Sequence, residues 1–203
     1  MNGAEPRWRR LEPDARREQI LACAIDLFGD RPYAAVSTTE LASRAGVARG
    51  LINHYFGTKR DLYLAVVRRM VTIPQVAVDT LPDGTLEERV DASVTWFLDA
   101  VSRHSRTWLA AVGAESVDPE VQRILAEADE RAADRVLDAT GLSTAVTHRE
   151  ELRALVRAYG GLVKAAAREW LVRGALTREQ VQVLLSTTLL TLVRDTGPRI
   201  QSS

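Results

Sequence analysis

Arg49, Asn53, His54, Tyr55 and Lys59 fall within eleven consecutive positions of the 203-residue chain. These side chains suit recognition of a duplex rather than catalysis. A guanidinium can donate two bonds to a guanine edge, and a carboxamide can pair two ways with adenine. The imidazole of His54 can donate to a base acceptor or a phosphate. Tyr55 and Lys59 can reach phosphates, which set register rather than sequence. Gly50, lacking a side chain, would let the backbone approach a groove closely, and Leu51 lies at the border of that face. The same residues could simply solvate one side of a short helix. The choice depends on the elements that hold them.

Those elements are readable. Ser37 followed by Glu40 has the pattern of a capping box and starts a short helix carrying Leu41, Ala42 and Ala45. Gly46 ends it, at a place where positive φ is easiest for glycine. A second short helix spans about 48–55, and Thr58 caps a further helix that must end or bend near Pro74. Two short helices joined by a tight glycine turn make a helix-turn-helix, with the motif at 37–56. Leu41, Ala45, Val47 and Ile52 are expected inside, against a first helix running from Pro13 to about Gly29. Arg49, Gly50, Asn53 and His54 are then left outside. Thr38 and Thr39 open the preceding helix, where hydroxyls and free backbone N–H groups offer a phosphate seat.

Residues 15–63 resemble the DNA-binding domain of TetR-family transcriptional regulators. The resemblance rests on ILACAIDLFGDRPYAAVSTTELASRAGVARGLINHYFGTKRDLY. It includes the LF that closes the first helix, the T-x-x-x-[LIV]-A-x-x-[AG]-G-V run and the closing YF-x-x-K-x-x-L. It covers about a quarter of the chain, and several independent elements agree in order and spacing. One position departs: many members carry tyrosine where this chain has Asn53. The resemblance implies an all-α fold, with a three-helix DNA-binding domain at 13–60 and an effector-binding and dimerisation domain at 61–203. It also implies a homodimer, formed by a four-helix bundle of the last two helices of each subunit, on double-stranded DNA bearing a palindromic operator. The implied function is a ligand-responsive regulator, a repressor released by a small-molecule effector. A helical small-molecule-binding protein or an activator is the alternative.

The remainder of the chain is compatible with that assignment. Helices are expected near 85–103, 105–114, 118–139, 148–173 and 177–195, with Thr85, Ser105, Asp118-Pro119, Thr147 and Thr177 at their starts and Gly113, Gly141 and Gly174 at their ends. Nothing reads as a strand. Leu152, Leu155, Val156, Tyr159 and Val163 recur at helical spacing in one segment, and Val181, Leu184, Leu185, Thr188, Leu189 and Leu192 in the next. The latter is apolar around much of its girth, which suits burial on two sides. Gly160-Gly161 in mid-helix implies either close approach of a neighbouring backbone or room for a ligand. Trp96, Phe97, His104, Trp108, Tyr159 and Trp170 are candidate lining for an apolar or aromatic effector. Each can equally be plain core, and Trp170 can lie at the dimer interface.

Charge supports the division of labour. Lys+Arg and Asp+Glu number 27 each, but residues 1–70 hold 12 against 8 and residues 71–203 hold 15 against 19. A basic front and an acidic back suit a chain whose first part meets a polyanion. Arg7, Arg9 and Arg10 could form a basic arm, either solvated or reaching a minor groove. Cys23 alone cannot form an internal disulfide and is read as a small buried helix residue. The N-terminus lacks an apolar run and no stretch is long enough to span a bilayer, so a cytoplasmic protein with no membrane partner is expected. His54, His104 and His148 are dispersed, and no H-E-x-x-H, C-x-x-C or G-x-S-x-G spacing occurs. No catalysis, cofactor or metal is therefore expected.

Overall fold

A computed structural model describes residues 12–74, 77, 79, 81–113, 118–140 and 148–201. The arginines 7, 9 and 10, Gly141 and Thr147 lie outside the described residues. All regular structure among the described residues is helical. The chain divides into two compact units, one through Val66 and one from Val67 onward.

The first unit contains α1 (Pro13–Asp30), a single 3-10 turn at Tyr33–Ala35, α2 (Thr38–Arg44), α3 (Arg49–Phe56) and the start of α4 (Lys59–Val71). Pro13 sits in the first turn of α1, where its missing N–H costs nothing. Ile20, Ala24, Leu27 and Phe28 form the buried stripe of α1, with Leu21 and Ile25 beside it. Gln19 Nε2 donates to the carbonyl of Ala45 at 2.9 Å, tying α1 to the end of α2. Gly46 makes the turn with φ of 62°. α4 ends at Val71, three residues before Pro74.

One expected cap is only half formed. The Ser37 hydroxyl accepts from the N–H of Glu40 at 3.1 Å. The Glu40 carboxylate does not return to the Ser37 backbone, as a capping box requires. It pairs instead with the guanidinium of Arg31. A charged donor outcompetes a neutral amide for a carboxylate. A reciprocal cap does form at α4, where Thr58 Oγ1 accepts from Asp61 N–H at 3.1 Å and Asp61 Oδ2 accepts from Thr58 N–H at 2.9 Å.

The second unit contains α5 (Leu86–Arg103), α6 (Ser105–Gly113), α7 (Pro119–Thr140), α8 (Arg149–Leu171), α9 (Arg178–Thr191) and α10 (Gly197–Gln201). Capping boxes at Thr85/Glu88 and Thr177/Gln180 start α5 and α9. Asp118 Oδ1 accepts from Glu120 N–H at 2.9 Å to start α7. α5, α8 and α9 share one core built from Val90, Val94, Leu98, Ala166, Val181, Leu185, Leu189 and Val193. α7 closes on α8 through Ala133, Leu137, Leu152 and Val156. The last helix does not run regularly to residue 195. It loosens into a π turn at Leu192–Thr196 before α10. Pro198 has no N–H to donate and its ring crowds the preceding turn, so the wider turn precedes it.

Candidate nucleic-acid interface and effector cavity

The face of α3 sorts by burial. Ile52 and Phe56 are buried, and Leu41, Ala42 and Ala45 are buried beneath them on α2 and its end. Arg49, Gly50, Asn53 and His54 are all exposed, while Leu51 and Tyr55 are half-buried. Val47, expected inside, is also only half-buried. It occupies the turn itself, where its N–H bonds back to Ala42 O at 3.0 Å. A Cβ added at Gly50 would meet nothing within 4 Å, so the surface of α3 is flat there. His54 and Tyr55 meet edge to face, with ring centroids 5.1 Å apart. Thr39 is exposed and Thr38 half-buried at the start of α2. The helix is thus divided between a wall that holds it and a polar face with nothing of its own unit over it.

Lys59 has a local task that its place in the motif did not reveal. Its ammonium donates to the carbonyls of Tyr33 at 2.8 Å and Val36 at 2.7 Å. It also lies 4.1 Å from the centroid of the Tyr33 ring, within cation–π range. Two of its three donors are committed, leaving one for any phosphate. Cys23 is half-buried on α1, its thiol 3.6 Å from the carbonyl of Arg44. Burial pushes that thiol above its ordinary pKa.

In the second unit, α5, α6, α7, α8 and α9, with Val71 and Ile73, line a half-open apolar cavity of about 190 Å³. Phe97, Trp108 and Tyr159 line it, as three of the six sequence candidates. Phe97 and Trp108 pack edge to face, with centroids 5.9 Å apart. Tyr159 donates its hydroxyl to the carbonyl of Leu185 at 3.1 Å, and burial raises its pKa, so it is a neutral donor. The other three candidates lie elsewhere. Trp96 is next to Phe97 on α5, so helical geometry turns it away; it borders a shallow surface hollow with Asp99, Ser102 and Arg103. His104 is exposed at the break between α5 and α6, where its carbonyl accepts from Trp108 N–H at 2.9 Å. Trp170 packs against the core shared by α5, α8 and α9.

No neighbouring backbone compensates for Gly160 and Gly161: a Cβ at either would meet nothing within 4 Å. Gly160 lines the cavity, and Gly161 is exposed. The polar groups at the cavity wall, above all Lys164 and Asp129, carry no local signature in the sequence, because they lie on different helices. A signal existed in the arginines at 149, 153 and 157, spaced by four. They form one stripe of α8 that pairs with Glu130 and Asp134 of α7. Among the described residues, no cluster of His, Cys, Asp and Glu could hold a metal ion. Nor is any described helix long and apolar enough to cross a membrane.

This division into a helix-turn-helix unit and an all-helical unit matches known proteins across both parts. Residues 20–66 match the model for bacterial regulatory proteins of the tetR family, and residues 86–192 match a tetracyclin repressor-like C-terminal domain. The chain is a TetR-family transcriptional regulator. It is 32% identical to the HTH-type transcriptional activator FasR of Mycolicibacterium smegmatis, over 83% of this chain and 78% of that one. It is 30% identical to the HTH-type transcriptional regulator EthR of Mycobacterium tuberculosis, over 77% and 82% respectively. A solved tetR-family regulator from Streptomyces coelicolor shares the fold, with a TM-score of 0.71 over 95% of this chain and 89% of that one at 24% identity. TetR-family regulators bind DNA and act as dimers.

Proposed function

We propose that the protein is a homodimeric repressor that binds a palindromic operator and is released by a small apolar effector. The observation that carries this reading is the pairing of an exposed polar face on α3, with Arg49, Asn53 and His54, and an apolar cavity in the second unit. Arg49 and Asn53 read base edges, His54 contacts a base or phosphate, and Tyr55, Lys59, Thr38 and Thr39 reach phosphates. Gly50 and Leu51 lie against the groove wall. Two copies present two such helices about 34–36 Å apart.

The dimer forms through α8 and α9. Val183 is 65% exposed and Leu184 38% exposed on α9, although Val181, Leu185 and Leu189 of the same helix are buried in their own subunit. Ala158, Gly161 and Ala165 are exposed along one side of α8, where small side chains let a second helix come close. An effector in the cavity acts by favouring a subunit geometry whose half-site separation no longer fits the operator.

Fluorescence anisotropy with DNA from upstream of the protein's own gene tests this reading. Nanomolar binding that weakens steeply with salt supports it, and affinity no greater than for unrelated DNA contradicts it. Activation is the second reading, favoured by the name of the relative FasR. A reporter behind the bound site separates the two: loss of the protein raises output under repression and lowers it under activation.

A further inference from the structure

Resting on the effector-cavity reading, we infer that the ligand is a compact neutral molecule, and that the Lys164–Asp129 pair excludes both carboxylates and amines. Apart from the Trp108 indole N–H, which a neutral acceptor can meet, the polar side chains lining the cavity have partners inside the protein. Ser93 Oγ donates to Arg89 O at 2.8 Å. Tyr159 donates to Leu185 O. Arg157 is paired with Glu130 and Glu150. Lys164 Nζ lies 2.7 and 2.9 Å from the two carboxylate oxygens of Asp129. An incoming carboxylate meets a cation already neutralised, and an amine meets an anion already neutralised. The pair is about a third exposed at the cavity mouth, so either group must break a charge-assisted pair or stay at that hydrated mouth and leave the apolar lining unfilled. A neutral apolar molecule does neither.

Size narrows the class. A dry apolar cavity of about 150 Å³ accommodates benzene. The cavity here, at about 190 Å³, admits one ring with a short alkyl arm. Gly160 contributes open space, since a Cβ there would meet nothing within 4 Å.

Isothermal titration of the full-length protein with 4-phenylbutan-1-ol, 4-phenylbutyrate and 4-phenylbutylamine tests the inference. The alcohol should bind at least about tenfold more tightly than the acid or the amine. Asp129→Asn frees Lys164 and should bring the acid level with the alcohol or ahead of it. Gly160→Leu, which fills space while removing a helix-weakening glycine, should abolish binding of the alcohol. An acid or amine matching the alcohol on the unmodified protein overturns the neutral class. So does an Asp129→Asn protein indifferent to the acid. Undiminished binding to the Gly160→Leu protein places the ligand elsewhere and overturns the inference. No binding by any of the three removes the cavity as an effector site and the ligand class with it. Binding of the alcohol without release of DNA leaves the ligand class standing and contradicts only the ligand-responsive reading.

Discussion

The ammonium of Lys59 donates to the carbonyl of Val36 at 2.7 Å, joining the start of α4 to the residue just before the cap of α2. With the second bond to Tyr33, this fixes the strap between α1 and α2. Lys59→Met keeps the aliphatic stem and removes the donor, leaving a partly buried carbonyl without its partner. It should lower unfolding free energy by about 1–3 kcal/mol, measured by urea titration, and weaken all DNA sequences alike. Unchanged stability with a shallower salt dependence would show that the lysine serves phosphate alone.

Arg49 and Asn53 should behave differently from Lys59. Their side chains are exposed and need not hold the fold. Arg49→Ala and Asn53→Ala should leave the melting temperature within a degree or two. Each should cost about 1–3 kcal/mol at one base pair of the site and relax preference there. Competition binding against operators mutated one position at a time reads this directly. Retained preference in Arg49→Ala would remove that residue from base readout.

The exposed apolar positions of α9 make a prediction about assembly. Val183→Glu places a charge at a side chain that is 65% exposed in the single chain and desolvated in the proposed dimer. Sedimentation velocity should show a monomer at micromolar concentration, with operator affinity reduced by at least about a hundredfold through loss of the second half-site. A Val183→Glu protein that remains dimeric moves the interface off this face.

The two capping boxes give a stability test independent of function. Thr85 and Glu88 exchange hydrogen bonds of 2.8 and 3.3 Å, and Thr177 and Gln180 exchange bonds of 2.9 and 3.2 Å. Thr85→Ala and Thr177→Ala should each cost about 1 kcal/mol. Because the sites lie on different helices, the double variant should cost roughly the sum.

What was legible in the sequence followed local rules. Gly46 announced a positive φ, and the period of Leu41, Ala45 and Ile52 left Arg49, Gly50, Asn53 and His54 outward, though Val47, placed inside with them, is only half-buried. Helix starts at Thr58, Thr85, Asp118 and Thr177 were visible for the same reason. What was hidden depends on groups remote in sequence. Glu40 left its cap for Arg31, nine residues earlier. Lys59 found carbonyls 23 and 26 residues away. Lys164 met Asp129 across 35 residues. Among the aromatics, composition could not decide between Trp96 and Phe97, because adjacent helix positions point about 100° apart and only packing selects the inner one.

In the proposed dimer two copies of α3 read a two-fold site. Selection of bound duplexes from a random pool, using the full-length protein, tests it most directly. An enriched inverted repeat is expected, with half-site centres about 10–10.5 base pairs apart, or a multiple of that. Enrichment of single, unrepeated motifs, or of no motif at all, would contradict it.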